Sequence, residues 1–114
     1  MSYEGLNNLL ASKCTVKRQE IFNITWQVHD LDIFMIGEYL NRRGTVLYED
    51  IDRQCYAVTI KGGIGKMNPG HLAFQLRGNE LDIAAYAKEA LINQNTIAGI
   101  LDEFEEHFWK CIER

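Results

Sequence analysis

The sequence predicts an α+β domain, an antiparallel sheet of about four strands with two C-terminal helices packed on one face. Three observations predict it. Phe22, Ile24, Trp26 and Val28 alternate with Asn23, Thr25, Gln27 and His29, the period-two pattern of a strand with one apolar face and one polar face. Tyr56, Val58 and Ile60, and then Leu72, Phe74 and Leu76, repeat that alternation. From 95 to 114 the pattern changes: Ile97, Ile100, Leu101, Phe104, Phe108, Cys111 and Ile112 fall on one face of a helix.

The elements follow in order. Residues 3–12 predict a short helix, with Tyr3, Leu6, Leu9 and Leu10 on one face and Ser2 as its cap, although Gly5 weakens it. Residues 21–29 are the clearest strand, and its polar face is expected to meet solvent or a partner. Residues 31–43 read two ways. As a helix, Asp30 caps the start, Arg42 and Arg43 sit in the last turn, and Gly44 supplies a left-handed stop. As a strand, Ile33-Phe34-Met35-Ile36 pairs back on 21–29 through a turn at His29-Asp30-Leu31-Asp32. The helix is favoured because both ends carry matching signals, but Gly37 counts against either reading.

Residues 45–51 and 54–61 predict two strands joined by a turn at Asp50-Ile51-Asp52-Arg53. Lys61 to Gly70 is a glycine-rich loop with the chain's one proline, Pro69. The strand of Leu72, Phe74 and Leu76 ends at Gly78. Two helices close the chain. Asn79 caps the first, with Asp82 three residues on, and Ile83, Ala87, Ala90 and Leu91 form its apolar face. Asn93-Gln94-Asn95 breaks the pattern, and Asn95 caps the second helix.

Composition narrows the function classes. At 114 residues and 46% apolar content the chain fits a single domain, 1–114, with its own core. A net charge of −4 disfavours nucleic acid as the partner, because phosphate neutralisation calls for a basic face. The longest run of strong hydrophobes, Ile33 to Ile36, is far short of a membrane span. Residues 1–10 have neither the positive start nor the apolar run of a signal peptide. Three widely spaced cysteines, Cys14, Cys55 and Cys111, are not a disulfide framework, so a reducing cytoplasm is the expected location.

Several groups invite a chemical reading. In Lys61-Gly62-Gly63-Ile64-Gly65-Lys66-Met67, glycines would let backbone amides approach a phosphate and lysines would add charge. The loop is not a Walker A motif. Ile60 stands where the first glycine is needed, Met67 where Ser or Thr is needed, and Pro69-Gly70 replaces the helix start. A plain connecting loop is the ordinary alternative. Arg42, Arg43, Lys61, Lys66 and Arg77 sit near element ends and could converge on a phosphorylated ligand, or could be solvated charge.

His107 and Cys111 have the spacing of two metal ligands, but no second pair is present and Cys111 falls on the apolar stripe. No metal and no cofactor is expected. Glu103 could orient His107, although a surface ion pair is the ordinary reading of that spacing. A Cys55–His71 couple would need a contact that the sequence does not show, and no motif flanks either residue, so no catalytic residues are assigned. Lys110 and Arg114 match the dipole at the end of a helix. Trp109 lies off the apolar stripe and would either widen the core face or meet another chain, a second copy included.

Two functions follow as expectations. The first is a non-catalytic binding protein that blocks or sequesters a protein partner, as small inhibitors, immunity proteins and anti-defence proteins do. Asp102, Glu103, Glu106, Trp109 and Lys110 would form its contact. The second is a binder of a small phosphorylated ligand such as a nucleotide signal. It would use Lys61, Gly62, Gly63, Gly65, Lys66 and Arg77, with Phe74 for stacking. A minor enzyme subunit is a weaker third.

Overall fold

One five-stranded antiparallel sheet organises the chain, in the spatial order β1-β5-β4-β3-β2. The computed structural model describes residues 3–61, 69–88 and 96–113. Its elements are α1 (Glu4–Lys13), a single 3-10 turn (Arg18–Glu20), β1 (Phe22–Gln27), α2 (Ile33–Arg43), β2 (Gly44–Asp50), β3 (Cys55–Ile60), β4 (Gly70–Arg77), β5 (Glu80–Ala87) and α3 (Thr96–His107). Strands β2 to β5 form a meander, and β1 closes the far edge by pairing with β5. No helix among the described residues is long and apolar enough to cross a membrane.

Period-two alternation divides the sheet into two faces. Tyr56, Val58, Ile60, Leu72, Phe74, Leu76, Leu81, Ile83 and Ala85 face α2 and α3, and with Ile36, Leu40, Ile100, Leu101 and Phe104 they make the main core. The opposite face carries a smaller core, where Leu6 and Leu10 of α1 pack on Ala73, Ala84 and Tyr86. The expectation of helices on one face therefore needs correcting: the sheet has five strands, α2 and α3 cover one face, and α1 covers part of the other.

The largest departure is β5. Residues 80–87 form a strand at the heart of the sheet and not the first half of a helix capped by Asn79. Arg77 pairs with Glu80, so Gly78 and Asn79 make a two-residue hairpin loop. Gly78 has φ +60°, which a glycine at the first loop position adopts without strain in a type II′ hairpin. Ala84 of this strand lies with Ala73 of β4 beneath Leu6 and Leu10, where small side chains let α1 approach the sheet. Ala90, Leu91 and Asn95 lie outside the described residues.

The ambiguous segment 31–43 is the helix α2, with different ends from those expected. Asp32, not Asp30, is the cap, and its carboxylate accepts the Met35 amide at 2.9 Å. Asp30 instead takes a positive φ of 53° in the turn before it. Gly44 is not a left-handed stop: its backbone is extended and leads straight into β2. A side chain there would collide with the carbonyl oxygen of Thr59 on β3. Gly37, which argued against any regular element, is where α2 meets the sheet, because the Tyr56 hydroxyl occupies the place of its missing side chain.

The N-terminal helix has Tyr3, not Ser2, at its cap position, where it makes no side-chain cap bond, and Ser2 lies outside the described residues. The last helix is shorter than expected. After His107 the chain turns, and Ile112 bridges to Val28. The His29 amide donates to the Cys111 carbonyl and the Glu113 amide to the Gln27 carbonyl, each at 2.8 Å. The tail therefore extends the β1 edge and does not continue the helix to Arg114, which is itself outside the described residues.

Replacing Gly37 by alanine should cost about 1–3 kcal/mol, the usual penalty for overpacking a filled core, because Tyr56 is itself buried at 2% exposure. Urea denaturation of Gly37→Ala beside the parent protein measures it. An unchanged midpoint would show that α2 can lift off β3 at no cost.

Candidate functional site

The polar face of β1 is partly covered: Gln27 and His29 are exposed, while two polar residues of α1, which packs on β4 and β5, reach Asn23 and Thr25. Asn7 and Asn23 exchange amide hydrogen bonds at 3.1 and 2.8 Å. The Tyr3 hydroxyl is 2.7 Å from the Thr25 hydroxyl, which reaches an Asp82 carboxylate oxygen at 2.6 Å. Asp82, only 4% exposed, also accepts from Arg77 Nε at 2.5 Å and Nη2 at 3.0 Å. Arg77 Nη2 donates to Glu80 at 2.9 Å, and Gln27 donates to the other Glu80 oxygen at 3.0 Å. The period-two pattern of β1 marked Asn23, Thr25 and Gln27. Asp82 was hidden by the helical reading of its segment.

Burial raises the Asp82 pKa, but the hydrogen bonds from Arg77 and Thr25 and the Arg77 charge outweigh it, so the carboxyl ends below its usual range. The network is a structural clamp: it ties the β4–β5 hairpin to β1 and α1 and leaves Arg77 committed to two carboxylates.

Arg77 is thereby separated from the other residues expected to bind a phosphate. It ends β4 seven residues from Gly70, about 24 Å along a strand. Lys61 is exposed at the other end of the sheet, just beyond the Ile60–Gly70 pair. Phe74 has no exposed face for a ligand. It is fully buried, and its ring stacks on Phe104 at 5.1 Å and 18°. Gly62, Gly63, Gly65 and Lys66 lie outside the described residues.

Near the Lys61 end, an open hollow of about 350 Å³ lies between the α1–β1 connection and the sheet, lined by Thr15, Val16, Lys17, Pro69, His71, Tyr86 and Lys88. Nothing in the sequence groups these residues, because they come from three distant segments. His71 Nδ1 is 2.9 Å from the Thr59 hydroxyl, which also bonds the Cys14 thiol. Burial lowers the His71 pKa and keeps the ring neutral near pH 7. Burial likewise raises the Cys14 thiol, against the opposing Thr59 bond, and it raises Cys55. Neither thiol is activated as a nucleophile. Cys55 pairs with Gln75, four residues along β4 from His71, so the two do not form a couple. The three cysteines are free, and the described residues hold no metal-sized cluster of His, Cys, Asp and Glu.

The predicted contact residues on the last helix gather on the outer surface. Asp102, Glu103, Glu106, Trp109 and Lys110 are all exposed. Glu103 pairs with Arg43 of α2, and His107, which lines the same shallow hollow, packs against the Tyr39 ring at 4.7 Å. Trp109 is 59% exposed, with Lys110 Nζ 5.9 Å from its ring centre. The apolar stripe behaves as expected: Ile100, Leu101, Phe104, Phe108 and Ile112 are buried. Comparison with known protein families, with curated proteins and with solved structures finds no match to this chain.

Two titrations should be visible in stability. Asp82 has a lowered folded pKa, so its contribution is present at neutral pH and is lost as pH falls below about 4. Asp82→Asn should cost about 1–3 kcal/mol at pH 7, with the difference from the parent shrinking as the medium is acidified through that range. His71 also has a lowered folded pKa, so the unfolded chain binds its proton first. Stability should be full above about pH 6.5 and should decline as pH falls below it. His71→Gln should flatten that decline between pH 7 and 5 in thermal melts, and an unchanged slope would place the titration elsewhere.

Proposed function

We propose that the protein is a non-catalytic binding protein that blocks or sequesters a protein partner, and that the outer face of α3 with the turn after it is the contact. The observation that carries this reading is Trp109. A large aromatic residue, 59% exposed, stands three residues beyond Glu106, just past the end of a helix on which Asp102, Glu103 and Glu106 are exposed. Exposed aromatic residues are favoured anchors at protein interfaces, since they cover much area with little rotamer entropy. Carboxylates around such an anchor draw in a basic surface and speed the encounter. The tail's pairing with Gln27, Val28 and His29 fixes the turn that presents Trp109, so little ordering remains to be done on binding.

A basic protein is the partner this surface fits. Affinity capture from the native host should retain such a protein on the parent chain, and salt should weaken its retention. Trp109→Ala should lower the affinity about tenfold to a hundredfold, and Asp102→Lys/Glu106→Lys should abolish it. Retention of the same proteins by all three chains, or of this chain's own copies alone, would refute the proposal.

A further inference from the structure

We propose that the hollow between the α1–β1 connection and the sheet binds a small organic anion, with an apolar ring against its walls and a phosphate or carboxylate at its two lysines. The site stands apart from the α3 face and does not rest on a protein partner. Four observations carry it. The hollow measures about 350 Å³, within the roughly 300–1,000 Å³ of small-molecule sites. Val16, Pro69 and the Tyr86 ring give it an apolar lining, while Lys17, which also makes a loose 3.9 Å surface ion pair with Glu20, and Lys88 bring positive charge to its margin. His71 is held from behind: Thr59 occupies its Nδ1 at 2.9 Å, so Nε2 is the ring's remaining polar atom. Lys61, exposed at the same end of the sheet, adds a third cation to the surroundings.

The thiol, hydroxyl and imidazole form a chain. Thr59, bonded to both the Cys14 sulfur and His71 Nδ1, holds the ring in place and leaves Nε2 bonded to neither of them. An apolar wall suits a flat ring, and the lysines at its margin suit a charged head that stays partly hydrated. The chemistry common to ring phosphates and ring carboxylates is what the hollow recognises.

Phenyl phosphate and benzoate are the probes, followed by amide chemical shifts of the isotope-labelled full chain. At least one should move the amides of Val16, Lys17, His71, Tyr86 and Lys88 as a saturable set, and which one binds more tightly identifies the head group. Inorganic phosphate and benzyl alcohol, each carrying half of the recognised chemistry, should bind about tenfold more weakly or not at all. Lys17→Gln/Lys88→Gln should weaken the better probe about tenfold. Both lysines are exposed, so the melting temperature should stay close to that of the parent and separate lost binding from lost folding. Arg53→Gln, which removes one exposed charge in the turn at the opposite end of the sheet, should leave affinity unchanged. No saturable shift with either probe, equal binding of benzyl alcohol, or equal losses from the Lys17/Lys88 and Arg53 variants would each overturn the proposal.

Discussion

The Phe104 ring is the contact on which the rest of the structure depends. It stacks on Phe74 of β4, meets Tyr39 of α2 edge-on at 5.3 Å, and lies 5.8 Å from Trp26 and 4.8 Å from Phe108. One side chain therefore joins the last helix to the middle of the sheet, to the helix that crosses it, to the edge strand and to the C-terminal turn. Aromatic groups at these separations gain from offset and edge-on geometry beyond the area they bury. With Ile100, Leu101 and Phe108 that junction sets where α3 lies on the sheet, and the tail's pairing with β1 then sets the turn carrying Trp109.

The two faces of the sheet do different work. The face under α2 and α3 is apolar throughout and supplies most of the buried surface. The face under α1 is mixed. Leu6 and Leu10 sit on alanines, and around that small contact lie the Asn7–Asn23 pair and the chain from Tyr3 to Arg77. A buried carboxylate such as Asp82 is tolerated only because each of its oxygens has a donor. A short helix leaves part of this face uncovered, and the hollow beside His71 lies where α1 has ended and the chain runs on to β1. Surface shape there follows from helix length.

How much was legible depended on whether local pattern and tertiary use agreed. The strands at Phe22, Tyr56 and Leu72 and the stripe from Ile97 to Phe108 were readable because one apolar face meets one core. Segment 80–87 was misread because it is buried on both faces. Its alternation is blurred by Ala84, Ala85 and Ala87, and alanine favours a helix when nothing else is known. The Gly78-Asn79 pair was the signal that could have found it, since that dipeptide between two apolar runs marks a hairpin. The candidate sites divided in the same way. Exposure of Asp102, Glu106 and Trp109 follows from their place off the stripe, whereas burial of Phe74 behind Phe104 is a fact of packing.

By itself the sequence determined the α+β class, the face that each clear strand and helix would bury, and the acidic outer side of α3. Those are local consequences of side-chain period and hydrophobicity, and neighbouring residues are enough to set them. Only the tertiary structure decided that β5 is the strand between β1 and β4, that Gly37 and Gly44 mark close approaches, and that Arg77 belongs to Asp82. It alone brought Lys17, His71, Tyr86 and Lys88 around one hollow. These depend on which distant segments come within a few ångströms of one another, and no single stretch of chain carries that information.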